Sequence, residues 1–259
     1  MQKTNLVNVA RFIIKSPKRV LELFHKVNER LFDRSSTLKK EELDKWLKEN
    51  AADLEPHLIK IDSALWDEAQ NFYKEFDQRA KEKLKAIPFA MGGGGHYPLL
   101  YFLVRRLKPG VVVETGVSSG FSTQAILKAM QINGSGKLYS SDFPLFRVKD
   151  PEKYIGVLVD EELKKDWKLF IEGDRISLPK ICSEIDHIDI FHYDSDKSYK
   201  GREFALKTIA PKMDKKSLII FDDIHNNSHF YDYVRENNIT DYKVFFFINK
   251  YVGFIGELS

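Results

Sequence analysis

The chain has 259 residues, 43% of them hydrophobic and 31% charged, with a formal net charge of +3. These proportions predict a packed α/β domain of ordinary size plus an accessory segment, and they exclude a disordered or fibrous chain. So weak a positive balance gives no ground for nucleic-acid binding. The single cysteine, Cys182, excludes an intrachain disulfide, and no apolar run approaches the roughly 20 residues of a membrane helix.

Residues 1–88 read as a helical accessory segment. Asn5 to Ile14 is a short amphipathic stretch without a small-residue cleavage site, so no signal peptide is expected and the cytoplasm is the expected location. Ser16-Pro17 predicts a cap followed by proline at the first helical position. Val20, Leu21, Leu23, Phe24, Val27 and Leu31 then form an apolar stripe at helical spacing. A basic helix between Lys15 and Arg30 has the makings of one that lies on an anionic membrane. Packing on its own domain, or on a second subunit in a homo-oligomer, is the reading we favour. Lys39 to Asn50 and Ser63 to about Ala86 predict two more helices.

The second region, residues 89–259, opens on a break. Gly92-Gly-Gly-Gly95 suits no element interior and predicts a hinge or a loop that approaches something closely. His96 to Leu107 reads as a buried helix. Strands are then predicted at Val111–Thr115, Leu138–Ser141, Lys168–Glu172, Ile188–Tyr193, Ser217–Phe221, Tyr242–Ile248 and Val252–Gly256. Helices are predicted at Phe121–Ile132, Ser177–Glu184, Tyr199–Ile209 and His229–Glu236. This alternation predicts a doubly wound, seven-stranded, mostly parallel sheet. Only Asn249, Lys250 and Tyr251 separate the last two strands, so they must form an antiparallel hairpin.

The most informative stretch is Val111-Val-Val-Glu-Thr-Gly-Val-Ser-Ser-Gly-Phe-Ser-Thr123. A β-branched run stops at Glu114, glycines follow at Gly116 and Gly120, and a helix starts. Such a strand, tight turn and helix N-terminus lets a nucleotide-like ligand lie against bare backbone. The dinucleotide spacing Gly-x-Gly-x-x-Gly is missing. Ligands of open α/β sheets sit beyond the carboxyl ends of the strands. Those ends carry acids throughout: Glu114, Asp142, Asp174, Asp194 and the pair Asp222-Asp223. Asp142 lies a little over twenty residues past the glycine turn, where a carboxylate can accept ribose hydroxyls.

These residues resemble the class I S-adenosylmethionine-dependent methyltransferases, over about Gly92 to Gly256. Val113-Glu-Thr-Gly-Val-Ser-Ser-Gly-Phe-Ser122 is similar to the family's first motif and Ser140-Ser-Asp142 to its second. Phe191-His-Tyr-Asp-Ser-Asp-Lys-Ser-Tyr199 and Ser217-Leu-Ile-Ile-Phe-Asp-Asp-Ile224 resemble motifs of a small-molecule and sugar-modifying subgroup. The resemblance implies Glu114, Gly116 and Ser118 near the methionine part of the cofactor, Asp142 on the ribose and Asp174 near the adenine amine. Where that subgroup has histidine, this chain has Lys197. Another branch, similar to catechol O-methyltransferase, has an aspartate followed three residues later by a catalytic lysine, as Asp194 and Lys197 are. That branch binds Mg²⁺ with an Asp-Asn pair where this chain has Asp222-Asp223.

The expected activity is methylation of a small hydroxylated acceptor, a sugar or related metabolite. Candidate bases are Lys197 and His225, beside Asp194. Asp194, Asp222 and Asp223 should converge, because their strands are neighbours in this sheet order. Three like charges repel and raise each other's pKa unless a cation sits among them, and all-oxygen ligands select Mg²⁺ or Ca²⁺ over zinc. The same carboxylates could instead cap turns. A nucleotide-dependent reductase and a non-catalytic scaffold that retains the fold are the rival readings.

Overall fold

The computed structural model describes residues 6–33, 35–93, 95–247 and 249–258, without the side chains of Leu6, Arg30 and Leu31. Gly94 of the glycine run, Ile248 at the predicted end of a strand, Asn5 and the Leu31 side chain therefore lie outside the described residues.

Eight strands form one sheet. They are β1 (Ala51–Asp53), β2 (Val111–Thr115), β3 (Lys137–Ser141), β4 (Trp167–Phe170), β5 (Ile190–Tyr193), β6 (Leu218–Phe221), β7 (Tyr242–Phe247) and β8 (Lys250–Ile255), in the spatial order β1-β7-β8-β6-β5-β2-β3-β4. Every pairing is parallel except the two made by β8, which runs against β6 and β7. The parallel sheet closed by an antiparallel hairpin is thus as the sequence predicts. The short β1, which adds an eighth strand beside β7, is not. Three residues, Ala-Ala-Asp, carry no β-branched or alternating pattern that could announce a strand.

The helices are α1 (Leu6–Lys15), α2 (Arg19–Phe32), α3 (Lys40–Asn50), α4 (Leu54–Leu84), α5 (Tyr97–Leu107), α6 (Phe121–Asn133), α7 (Asp174–Glu184), α8 (Tyr199–Ile209) and α9 (His229–Glu236). Among the described residues none is long and apolar enough to cross a membrane. Alternation along the strands divides the interior in two. Val112, Ile190 and Ile220 face a core with Trp66 and Phe76 of α4, Phe102 of α5 and Ile126 of α6. Val113, Phe191 and Phe221 face a second core with Leu43 and Leu47 of α3, Ile181 of α7 and Phe230 of α9. The first 88 residues therefore contribute to both cores. Residues of β5 and β6 are buried without exception, as a central parallel strand covered on both faces requires.

Two local expectations need correcting. The long helix begins at Leu54, but Asp62 leaves helical geometry (φ −162°) and its carboxylate accepts the Leu65 N–H at 2.9 Å. The sequence pattern starting at Ser63 therefore follows a genuine internal cap. In α2, which begins at Arg19 and not at Pro17, the apolar stripe does not turn inward. Val20, Leu21, Phe24 and Val27 are exposed, while Arg19, Glu22 and Glu29 are buried. Ion pairing decides this orientation: Arg19 meets Glu152 at 2.7 Å, and Glu29 meets Arg175.

Candidate active site

The carboxyl ends of β2, β3, β5 and β6 open into a cavity of about 530 Å³. Its lining comes from three places: the turn Gly116–Ser119 after β2, the loop 142–155 after β3, and the loop after β5 with Asp194, Ser195 and Lys197. Met91, Gly92 and Gly93 close one side, and Lys26, Phe121, Ser122, Asp174, Asp223 and Lys250 complete it.

The turn after β2 is built for close approach. Gly116 has φ +84°, and a Cβ there would lie 2.4 Å from the Asp194 carbonyl oxygen. Only glycine lets the β2 and β5 loops meet. Gly120 caps α6 at φ +98° but does not line the cavity. A Cβ there would strike the Gly156 backbone at 2.9 Å, so this glycine serves packing against the turn at Gly156. Ser118, also in the left-handed region at φ +49°, lines the cavity. Its Oγ accepts the Gly92 N–H at 3.2 Å, and Ser119 Oγ donates to the Gly92 carbonyl at 3.2 Å. The glycine run is thereby tied to the turn.

Glu114 takes a different place from the one expected. It is fully buried and does not line the cavity. Its carboxylate accepts the hydroxyls of Ser122, Thr123 (2.7 Å) and Ser140 (2.9 Å), which hold β2, α6 and β3 together. The acid that ends β2 organises the loop from beneath.

Asp142 and Asp174 do face the cavity. Asp142 Oδ2 accepts the Ser118 N–H at 2.8 Å and Oδ1 the Phe143 N–H at 2.7 Å. Burial nevertheless pushes its pKa up to about 6, against those two hydrogen bonds. Asp174 opens α7 and accepts the hydroxyls of Ser141 (2.6 Å) and Ser195, with its pKa raised by burial. Lys26 of α2 reaches the same end of the cavity, 3.6 Å from Glu22 and 5.6 Å over the Phe143 ring. Burial opposes its charge, but Asp196 and Asp174 outweigh burial and raise its pKa. Sequence reasoning missed Lys26, since more than a hundred residues separate it from Asp142, Asp174 and Asp196.

The opposite end is a carboxylate cluster. Asp194, Asp222 and Asp223 each place a carboxylate oxygen within 4.8 Å of the others. Lys197 pairs with Asp194 and lies 3.2 Å from Asp223. Lys250, from the start of β8, lies 3.1 Å from Asp223 and 3.4 Å from Asp222. His96, just after the glycine run, stands 3.4 Å from Asp222 Oδ1. Burial raises Asp194 to about 6, moderated by Lys197. Burial also works against Asp222, but His96, Lys197 and Lys250 overcome it and hold Asp222 well below the usual carboxylate range. Lys250 and His96 were not singled out from the sequence. The only local signal was their position, one in the hairpin turn and one at the end of the glycine run.

A buried guanidinium fixes this end. Arg202 of α8, 0% exposed, donates to the carbonyls of Asp222 (3.1 Å) and Asp223 (2.8 Å) and to Asn227 Oδ1 (3.3 Å). Asn227 in turn donates to the Lys197 carbonyl at 2.8 Å. The loops after β5 and β6 are thus locked to each other.

His225 is not part of the cavity. Asp223 adopts φ +53° and starts a short 3-10 turn, Ile224–Asn226, that leaves His225 near Tyr251 with ring centroids 6.4 Å apart. Burial lowers its pKa. As a candidate base it is displaced by the turn.

The donor set at the cluster suits a hard divalent cation. It is all oxygen, and Asp222 Oδ1 is buried with no hydrogen-bond partner among the described residues. Asp194, Asp222 and Asp223 are the residues that would hold such an ion, and Lys250 would compete with it for Asp222 and Asp223.

Residues 113–224 match a family profile described as "Methyltransferase domain". The match spans less than half of the chain, and over that stretch the chain is similar to methyltransferase domains. The protein is an enzyme of the methyltransferase class, and its sheet is the Rossmann-like one of class I methyltransferases. Among solved structures, the O-methyltransferase from Bacillus cereus in complex with SAH shares the fold with a TM-score of 0.54 and 15% identity, over 70% of this chain and 90% of that one. CalS11, described as TDP-rhamnose 3'-O-methyltransferase, an enzyme in calicheamicin biosynthesis, does so with a TM-score of 0.50 and 18% identity, over 72% of this chain and 94% of that one. Comparison with curated protein sequences finds no match.

Proposed function

We propose that the protein transfers the methyl group of S-adenosylmethionine to a hydroxyl of a small acceptor, with a sugar as the preferred class. The observation that carries this reading is the polarity of this cavity. A glycine turn with Asp142 and Asp174 forms one end, and a lysine-carboxylate cluster forms the other. The first end suits an adenosine, with Asp142 accepting the ribose hydroxyls and Asp174 the adenine amine. Gly116 and Ser118 then lie along the methionine part, whose sulfonium points toward Asp194 and Lys197. The fold shared with two O-methyltransferases, one of them acting on TDP-rhamnose, supports the choice of a hydroxyl and of a sugar.

Methyl transfer is a direct displacement, so the site must align the acceptor oxygen, the methyl carbon and the sulfur. The new O–C bond forms as the C–S bond breaks, and the sulfur keeps the electron pair. The acceptor's proton leaves to Lys197, which needs its neutral amine for that task and acts as counter-charge when protonated. Arg202 and Asn227 keep Lys197 and the Asp222-Asp223 turn in place. A divalent cation held by Asp194, Asp222 and Asp223 would lower the pKa of the acceptor hydroxyl.

Incubation with methyl-labelled S-adenosylmethionine and a panel of nucleotide sugars, free sugars and catechols tests the reading. Label recovered as a methyl ether on a hydroxyl supports it. Label found only on nitrogen or carbon acceptors would replace the proposed chemistry.

A further inference from the structure

The two N-terminal helices sort their side chains by face. Phe12, Arg19, Glu22 and Glu29 point inward and are at most 5% exposed. The outward positions carry Ile14 (77% exposed), Leu21, Phe24 (65%), Val20 and Val27. An apolar set this large and this exposed calls for a covering surface.

Charge identifies the cover. The acids of α1 and α2, Glu22 and Glu29, are both buried. The described ionisable side chains that stay exposed on these helices and the turn joining them are Arg11, Lys15 and Lys18, all cations. The rim continues onto the neighbouring loop with exposed Lys149 and Lys153, beside exposed Leu145; Asp150 between them pairs with Lys15 at 3.3 Å and Lys153 at 3.7 Å, and the cations outnumber it. Bulky apolar residues interleaved with outward cations and inward acids match the interface of an anionic bilayer. A second copy fits less well, because an isologous contact through the same patch would bring two like-charged rims together.

The same helices frame the cavity. Phe12 packs on Phe143 (5.3 Å) and Phe146 (6.2 Å), Asn8 donates to the Arg147 carbonyl at 3.1 Å, and Lys26 lines the cavity wall. We propose that the outer faces of α1 and α2 dock on an anionic phospholipid surface, so that the enzyme works from a membrane. The inference stands apart from the choice of cofactor and acceptor, because vesicle binding is measured with neither present.

Flotation of the full chain with vesicles tests it. The protein should float with phosphatidylcholine vesicles containing phosphatidylglycerol, more weakly with phosphatidylcholine alone, and less as salt is raised. The double variant Ile14→Glu, Phe24→Glu should lose at least about tenfold in partitioning while keeping the wild-type melting temperature, since both positions are exposed. Lys15→Glu combined with Lys18→Glu should weaken binding to anionic vesicles only. Failure to float with either vesicle would overturn the proposal, as would flotation untouched by the double variant. A dimer in light scattering that Ile14→Glu, Phe24→Glu dissolves, without vesicle binding, would assign the face to a second copy instead.

Discussion

Asp142 Oδ2 accepts the Ser118 backbone N–H at 2.8 Å, joining the end of β3 to the glycine turn after β2. The bond shapes the place proposed for the ribose, and it makes that end of the cavity sensitive to the Asp142 proton. Burial raises Asp142 from 3.8 to about 6. The sign follows from linkage: protonation of Asp142 favours the ligand-free fold fully below its unfolded pKa, and that contribution is lost as pH rises through about 6. Cofactor binding runs the other way, because the hydroxyls donate to the ionised form. The dissociation constant of S-adenosylhomocysteine should be flat above that pH and rise by up to about tenfold per pH unit below it. Asp142→Asn should erase the break. A break that survives in this variant would belong to another group.

Glu114 lies outside the cavity lining, and we propose a structural role for it. It is 0% exposed and holds the hydroxyls of Ser122, Thr123 and Ser140. Glu114→Ala should destabilise the ligand-free protein by about 3 kcal/mol, because it leaves three buried hydroxyls without their charged acceptor. Urea unfolding without ligand measures this. A loss under about 0.5 kcal/mol would return Glu114 to a direct role in binding.

Lys197→Ala should leave cofactor affinity within about twofold and lower kcat by about 10²–10⁴-fold, the usual contribution of a positioned base. Separate measurement of kcat and of S-adenosylhomocysteine affinity distinguishes the two effects. Full activity in Lys197→Ala would pass the role to a metal-activated hydroxyl.

Lys250 lies where a cation at the carboxylate cluster would have to compete. Lys250→Ala should therefore tighten Mg²⁺ binding by about tenfold, since it removes a positive charge 3.1 Å from Asp223. Titration calorimetry with Mg²⁺ on the variant and the wild type reads this directly. Equal affinities, or no Mg²⁺ binding by either, would make Lys197 and Lys250 the permanent counter-charges of the cluster.

The part of the site that lay in contiguous motifs was legible before the structure. The β-branched run ending at Glu114, the turn at Gly116 and the acids at later strand ends all follow from local pattern and from the rule that parallel strands end on one edge. The convergence of Asp194, Asp222 and Asp223 followed as well, because β5 and β6 are neighbours. Two differences between expectation and structure have physical origins. His225 follows Asp223 by two residues, but a left-handed turn, which no local pattern announced, swings it away. The apolar stripe of α2 reads as a buried face by periodicity. Pairing of Arg19 with Glu152 and of Glu29 with Arg175 turns the other face inward. Lys26 and Lys250 reach the cavity through contacts distant in sequence, which a single chain without a fold cannot reveal.

The central claim is that the cavity over the ends of β2 and β3 binds an adenosine joined to a charged sulfur. Calorimetric titration of S-adenosylmethionine and S-adenosylhomocysteine into the wild type and Asp142→Ala tests it most directly. The account predicts one site per chain and an affinity weakened by about 1–3 kcal/mol in the variant, from lost hydrogen bonds to a charged acceptor. No heat at millimolar cofactor, or identical dissociation constants for the two proteins, would contradict it.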